Sequence, residues 1–161
     1  MHQKGIYELN ESGITGYTFT GDAYMITGQE IVFSQLDSLR KLQHCLLLAK
    51  SATSSHEMKY VISDQISKLD QIDTQFQILA TQRGWDIKEI EPLSRWIISL
   101  RFHHRKDPSI AEHLICYYTQ KNISMMKQYN RWDQSDRSIQ ILFQKLMDSC
   151  AMGIRQIALY L

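Results

Sequence analysis

Apolar positions between Gln29 and Gly84 fall into two long runs with the period of a helix, separated by Ala52-Thr53-Ser54-Ser55. In the first, Val32, Leu36, Leu39, Leu42, Leu46 and Ala49 recur at steps of three and four, one continuous stripe. In the second, Met58, Ile62, Leu69, Ile72, Phe76 and Leu79 keep a seven-residue rhythm that Gln65 alone breaks, with Glu57, Asp64, Lys68, Gln71 and Gln75 on the outer faces. A four-residue break allows only a tight reversal, so the pattern predicts an antiparallel hairpin of helices, each about 38 Å long at ~1.5 Å rise per residue. Two more helices are needed to cover its stripes, which predicts a long four-helix bundle.

The rest of the chain supplies them. Arg83-Gly84 reads as a helix end with glycine at C′, after which Trp85 is expected to fold back onto the bundle. Leu93, Trp96, Ile97 and Leu100, behind Pro92, predict a short extra helix between the two hairpins. His103-His104-Arg105-Lys106 closes it with cations that suit the helix dipole; a metal or anion site is the alternative, though no Cys, Asp or Glu is spaced as a co-ligand. Asp107-Pro108-Ser109 predicts an N-cap acid followed by proline at N1. The third long helix then carries Ala111, Leu114, Tyr118, Met125 and Tyr129 inward and fades near Trp132. Asp133 or Ser135 is expected to cap the fourth, whose stripe is Ile139, Leu142, Phe143, Leu146, Cys150, Gly153, Ile157 and Tyr160. Gly153 costs about 1 kcal/mol of helix propensity against alanine, which a close approach by another helix would explain.

Residues 1–28 differ. Five of the seven glycines lie there, around the β-prone runs Tyr17-Thr18-Phe19-Thr20 and Ala23-Tyr24-Met25-Ile26. They predict an extended arm or weak hairpin that packs either on its own bundle or on a partner subunit, because a lone hairpin is marginal in water. Two regions follow: arm 1–28 and an all-α bundle 29–161. A homodimer is the expected assembly.

Composition narrows the function classes. A chain of 161 residues with 43% apolar residues can bury one sizeable core. A net charge of +1 with interleaved signs gives no basic footprint for nucleic acid. The longest apolar run, Cys45 to Ala49, is far short of a membrane span, and no apolar segment follows Met1-His2-Gln3-Lys4-Gly5, so neither a membrane span nor a signal peptide is expected and an intracellular origin is. Cys45, Cys116 and Cys150 lack metal-like spacing, and buried thiols are the default reading.

Candidate chemistry is sparse. Gly-x-Gly-x-x-Gly, P-loop, nucleophile-elbow and His-Glu-x-x-His patterns are all missing. A carboxylate-bridged metal pair in a four-helix bundle needs inward glutamates and Glu-x-x-His repeats. No glutamate here has His at the third position after it. Of the acids Glu30, Asp37, Glu57, Asp64, Asp70, Asp73, Glu112, Asp136 and Asp148, only Asp73 and Glu112 fall at stripe edges, and His44 and His113 share no face with a glutamate three residues before them. Gln35 and Gln65 point inward, and amides are poor ligands for hard divalent ions; hydrogen bonding within the bundle is their expected role. No catalytic, cofactor-binding or metal residue is therefore assigned.

The chain also resembles the spore coat protein F family, ferritin-like four-helix proteins of spore-forming bacteria. The resemblance covers residues 29–161. It rests on the Leu/Lys-rich first helix from Leu36 to Lys50, on Arg83-Gly84-Trp85, on Asp107-Pro108-Ser109-Ile110-Ala111-Glu112, and on the closing Ile157-Ala158-Leu159-Tyr160-Leu161. Asp86 stands where that family often has an aromatic residue, and the arm has no counterpart. The resemblance implies a ferritin-like structural or accessory protein, made in the mother-cell cytoplasm and laid down on the spore coat among other coat proteins. Eight tyrosines and three cysteines suit cross-linking. Two other classes compete: a ferritin-like metal or redox protein, separable by metal content, and a cytosolic bundle that binds a partner protein through the arm, separable by localisation.

Overall fold

The computed structural model describes residues 25–87 and 106–161. The arm before Met25, the extra helix expected from Leu93 to Leu100, and His103 and His104 lie outside the described residues. Within them are four long helices and no named strand: α1 (Gly28–Ala52), α2 (His56–Gln82), α3 (Asp107–Tyr129) and α4 (Arg137–Ile157), with a 3-10 turn at Ala158–Tyr160.

Local sequence sets each boundary. Thr27 and Glu30 form a capping box at the start of α1: the Glu30 amide donates to Thr27 Oγ1 at 3.2 Å, and the Thr27 amide donates to Glu30 Oε2 at 2.7 Å. Ser55 caps α2 by accepting from the Met58 amide at 3.1 Å. At the other end of α2, Gly84 has φ +69°, the Gly84 amide donates to Thr81 and the Trp85 amide to Ala80. That is a Schellman motif, and it folds Trp85 onto the core as expected. α4 begins differently from the expectation: Asp136 is its cap, accepting from the Ser138 amide at 2.9 Å, while Asp133 and Ser135 bond to each other in the preceding turn.

Every position of the expected α1 and α2 stripes is buried, Gln65 included. So are the α3 and α4 stripes, apart from Tyr129 and Tyr160, which are half-buried. α1 packs on α2 and α3, α4 on α2 and α3, and α1 meets α4 across the diagonal only lightly. Hydrogen bonds join the helices: Arg40 meets Asp73 and Gln43 meets Asp70 between α1 and α2, Gln35 meets the Met125 carbonyl between α1 and α3, and Gln65 with Gln156 and Arg83 with Asp136 join α2 to α4. At the end of the bundle where α1 and α4 begin, Tyr129 stacks on Phe143 with centroids 3.9 Å apart and meets the buried Trp132 edge-on. The Ile26 amide donates to the Arg131 carbonyl there at 3.1 Å, tying the chain before α1 to the α3–α4 connection.

Asp107 departs most from its expected role. It occupies the first turn of α3 and makes no cap bond to that helix, whose N-cap is Lys106. Its carboxylate instead reaches the α1–α2 turn, accepting from Thr53 Oγ1 at 2.6 Å, Ser54 Oγ at 2.7 Å, and the Ser54 and Ser55 amides at 2.8 and 2.9 Å. Four donors favour the ionised form, led by the Thr53 hydroxyl, and draw the Asp107 pKa down to about 2. An unfolded aspartate titrates near ~3.9, so the stabilisation from this clasp is complete above about pH 4 and is lost as pH falls toward 2. Asp107→Ala is expected to cost about 1 kcal/mol at neutral pH, the scale of a lost cap. In urea titrations the gap between wild type and variant should close as pH falls from 4 to 2; a gap independent of pH would show that the carboxylate charge is not what holds the turn.

Candidate functional site

The interior of the bundle carries a polar layer to which each helix contributes. From α2, Gln65 is fully buried; its Nε2 donates to Gln156 Oε1 at 2.6 Å and its Oε1 has no hydrogen-bond partner among the described residues. From α3, Tyr118 is fully buried with a hydroxyl that has no partner among the described residues. Cys45 of α1 and Cys150 of α4, both buried, lie close enough to Tyr118 to act on it electrostatically. Gly153 makes room for the layer: a Cβ there would stand 2.9 Å from Gln65 Oε1 and 2.9 Å from both the Cζ and the hydroxyl oxygen of Tyr118. The close approach expected at Gly153 is thus made by side chains of α2 and α3.

Burial governs the titration of this layer. It pushes the Cys150 thiol up to about 12 and raises the Tyr118 phenol well above its ordinary value, with the two cysteines adding to the second shift. Both groups therefore stay protonated at neutral pH. A buried thiol without thiolate character is a small hydrophobe and not a nucleophile. A second polar site lies toward the aromatic end: Gln35 Nε2 donates to the Met125 carbonyl at 3.4 Å while its Oε1, like Asn122 Oδ1 and Ser149 Oγ, has no partner among the described residues.

The acids considered from sequence are dispersed. Asp73, half-buried, pairs with Arg40 at 3.3 Å; Asp37 pairs with Lys41, Asp64 with Lys68 and Asp136 with Arg83. Asp70 accepts from Gln43 and Asp148 from Gln144. Glu30, in the α1 capping box, Glu57 and Glu112 are exposed, so the Glu112 edge position faces outward; His44 and His113 are half-buried. Among the described residues no three His, Cys, Asp or Glu side chains converge closely enough to hold a metal ion. Cys116 corrects the expectation of three buried thiols: it is exposed on α3, one position past the half-buried Ile115 and ahead of the buried Tyr117. Its place in the helical period carried that signal, since it falls two residues after the stripe position Leu114. The partnership of Tyr118 with Gly153 had no such signal, because it joins two helices through space.

Comparison with known protein families, curated proteins and solved structures finds no match to this chain.

Two substitutions probe the layer. Gly153→Ala gains about 1 kcal/mol of helix propensity, yet the added methyl must displace Tyr118 or Gln65, an overpacking cost of about 1–3 kcal/mol. Chemical denaturation is expected to find a net loss, recovered in part by adding Tyr118→Phe, which removes the hydroxyl in the way; a stabilised Gly153→Ala would mean the layer is loosely packed. Gln65→Leu removes a desolvated carbonyl oxygen and sacrifices one bond to Gln156, which keeps access to water. It is expected to raise stability by about 0.5–2 kcal/mol, and a clear loss would show that the amide anchors a satisfied network.

Proposed function

We propose that this chain is a structural or accessory protein of the bacterial spore coat, without catalysis, cofactor or bound nucleic acid, built as an antiparallel ferritin-like bundle. Support for the architecture comes from the direction of the helix contacts. α2 ends beside the start of α4, through Arg83 and Asp136, whereas α3 starts beside the end of α1, through Asp107 and Thr53. The last turn of α2 and the first turn of α3 thus lie at opposite ends of the bundle, which is the arrangement of helical pairs in a ferritin-like fold.

One observation carries the role: reactive side chains are sorted by position. Tyr118 and Cys150, inside, are held protonated by burial, while Tyr60, 77% exposed, and Cys116 face outward, where phenols and thiols are available for cross-linking into a coat. Among the described residues no helix is long and apolar enough to cross a membrane. On this reading the protein is made in the mother-cell cytoplasm, self-associates as a homodimer and joins other coat proteins on the spore surface.

A fluorescent fusion followed through sporulation is expected to move from a diffuse mother-cell signal to a ring around the developing spore. Tyr60→Phe combined with Cys116→Ser should leave that ring in place and increase the fraction released by detergent and reductant. A signal that stays diffuse throughout sporulation would exclude the coat assignment.

A further inference from the structure

Between α2 and α4, Lys68 Nζ stands 3.5 Å from Met152 Sδ, within hydrogen-bonding reach of sulfur. Asp64, one turn earlier on α2, accepts from the same ammonium at 2.6 Å and holds the side chain in place. A cation is thus set beside a thioether, which is a weak acceptor.

Peroxide oxidation of a methionine is favoured by an accessible sulfur and by a donor that takes up charge on the oxygen leaving the oxidant. The described methionines divide on these two terms. Met58 accepts from Thr53 Oγ1 at 3.4 Å but is fully buried, and Met125 is buried as well. Met147 is half-buried. Met25 and Met126 are exposed, but among the described residues neither sulfur accepts a hydrogen bond. Among the described residues Met152, 46% exposed and beside Lys68, alone combines exposure with a donor.

We propose that Met152 is a site of reversible oxidation by hydrogen peroxide, promoted by Lys68. A sulfur lone pair attacks one peroxide oxygen, and the S–O bond forms as the O–O bond breaks. The proton of the transferred oxygen ends on the departing hydroxide, which leaves as water; sulfur is oxidised to the sulfoxide and peroxide is reduced. An ammonium carries three donors, so Lys68 has one for the departing oxygen besides those directed at Asp64 and Met152. The product keeps the contact, because a sulfoxide oxygen is polar and accepts from Lys68 in a charge-assisted hydrogen bond. α2 and α4 stay joined there, one residue from Gly153. Oxidation of Met58 or Met125 would instead place that oxygen in the apolar core.

Titration of the full chain with hydrogen peroxide, read by mass spectrometry of its peptides, tests this. Met152 is expected to gain one oxygen several-fold faster than Met126, which is 41% exposed on α3. Lys68→Ala should slow Met152 to the rate of Met126, and Lys68→Arg, which restores a cationic donor, should recover most of the difference. Removing the lysine side chain uncovers the sulfur, so exposure alone predicts the opposite change. Equal rates at Met152 and Met126 in the wild type overturn the proposal, and that comparison stands whether or not Lys68→Ala folds. A Met152 rate that is unchanged or raised in a folded Lys68→Ala overturns it too.

Discussion

The absence of a side chain at Gly153 is the constraint on which the packing of the four helices depends. Only there can the end of the Tyr118 ring and the Gln65 carbonyl oxygen approach the α4 backbone, since a Cβ would meet all three nearby atoms at 2.9 Å. Sliding α4 by one residue would set Met152 or Ile154 against the ring. The two unpartnered oxygens each carry a desolvation penalty of about 1–3 kcal/mol, which burial of the aromatic ring offsets at a similar scale. The layer therefore adds little net stability. Its effect is to make one register of α4 against α2 and α3 far better than its neighbours.

The two ends of the bundle are closed by different means. At one, the carboxylate of Asp107 gathers the donors of the α1–α2 turn, joining parts of the chain more than fifty residues apart. At the other, the Schellman turn brings Trp85 close to Gly28, which Trp132 also approaches, while Tyr129 meets Trp132 edge-on and stacks on Phe143.

Much of this was legible in the sequence, and the exceptions share a cause. The helical stripes of α1 and α2 are buried at every position, and the break before α2 falls at its N-cap Ser55, because period and capping are local properties. The capping box of Thr27 and Glu30 was equally local; it starts α1 at Gly28, one residue ahead of the reading from apolar periodicity. Asp107 departs from its local signal for the opposite reason. Asp-Pro-Ser is a start signal for its own helix, and nothing nearby in sequence reveals that a different turn offers it four better donors. The polar layer behaves likewise: Gln65 and Gly153 each stand out within their own helix, but their meeting with Tyr118 exists only after the helices pack.

The proposed coat role draws on the same sorting of side chains. A bundle whose interior phenol and thiol are kept protonated, and whose exposed phenol and thiol face outward, is suited to being a durable component of an assembly. That picture requires the four helices to behave as one unit around the polar layer. Native-state hydrogen exchange, read amide by amide, measures this directly. The account predicts that amides flanking Cys45, Gln65, Tyr118 and Cys150 exchange with a single free energy equal to that of global unfolding. A helix whose amides at that level exchange at distinctly lower free energy would show that the layer does not bind the four together, and would contradict the account.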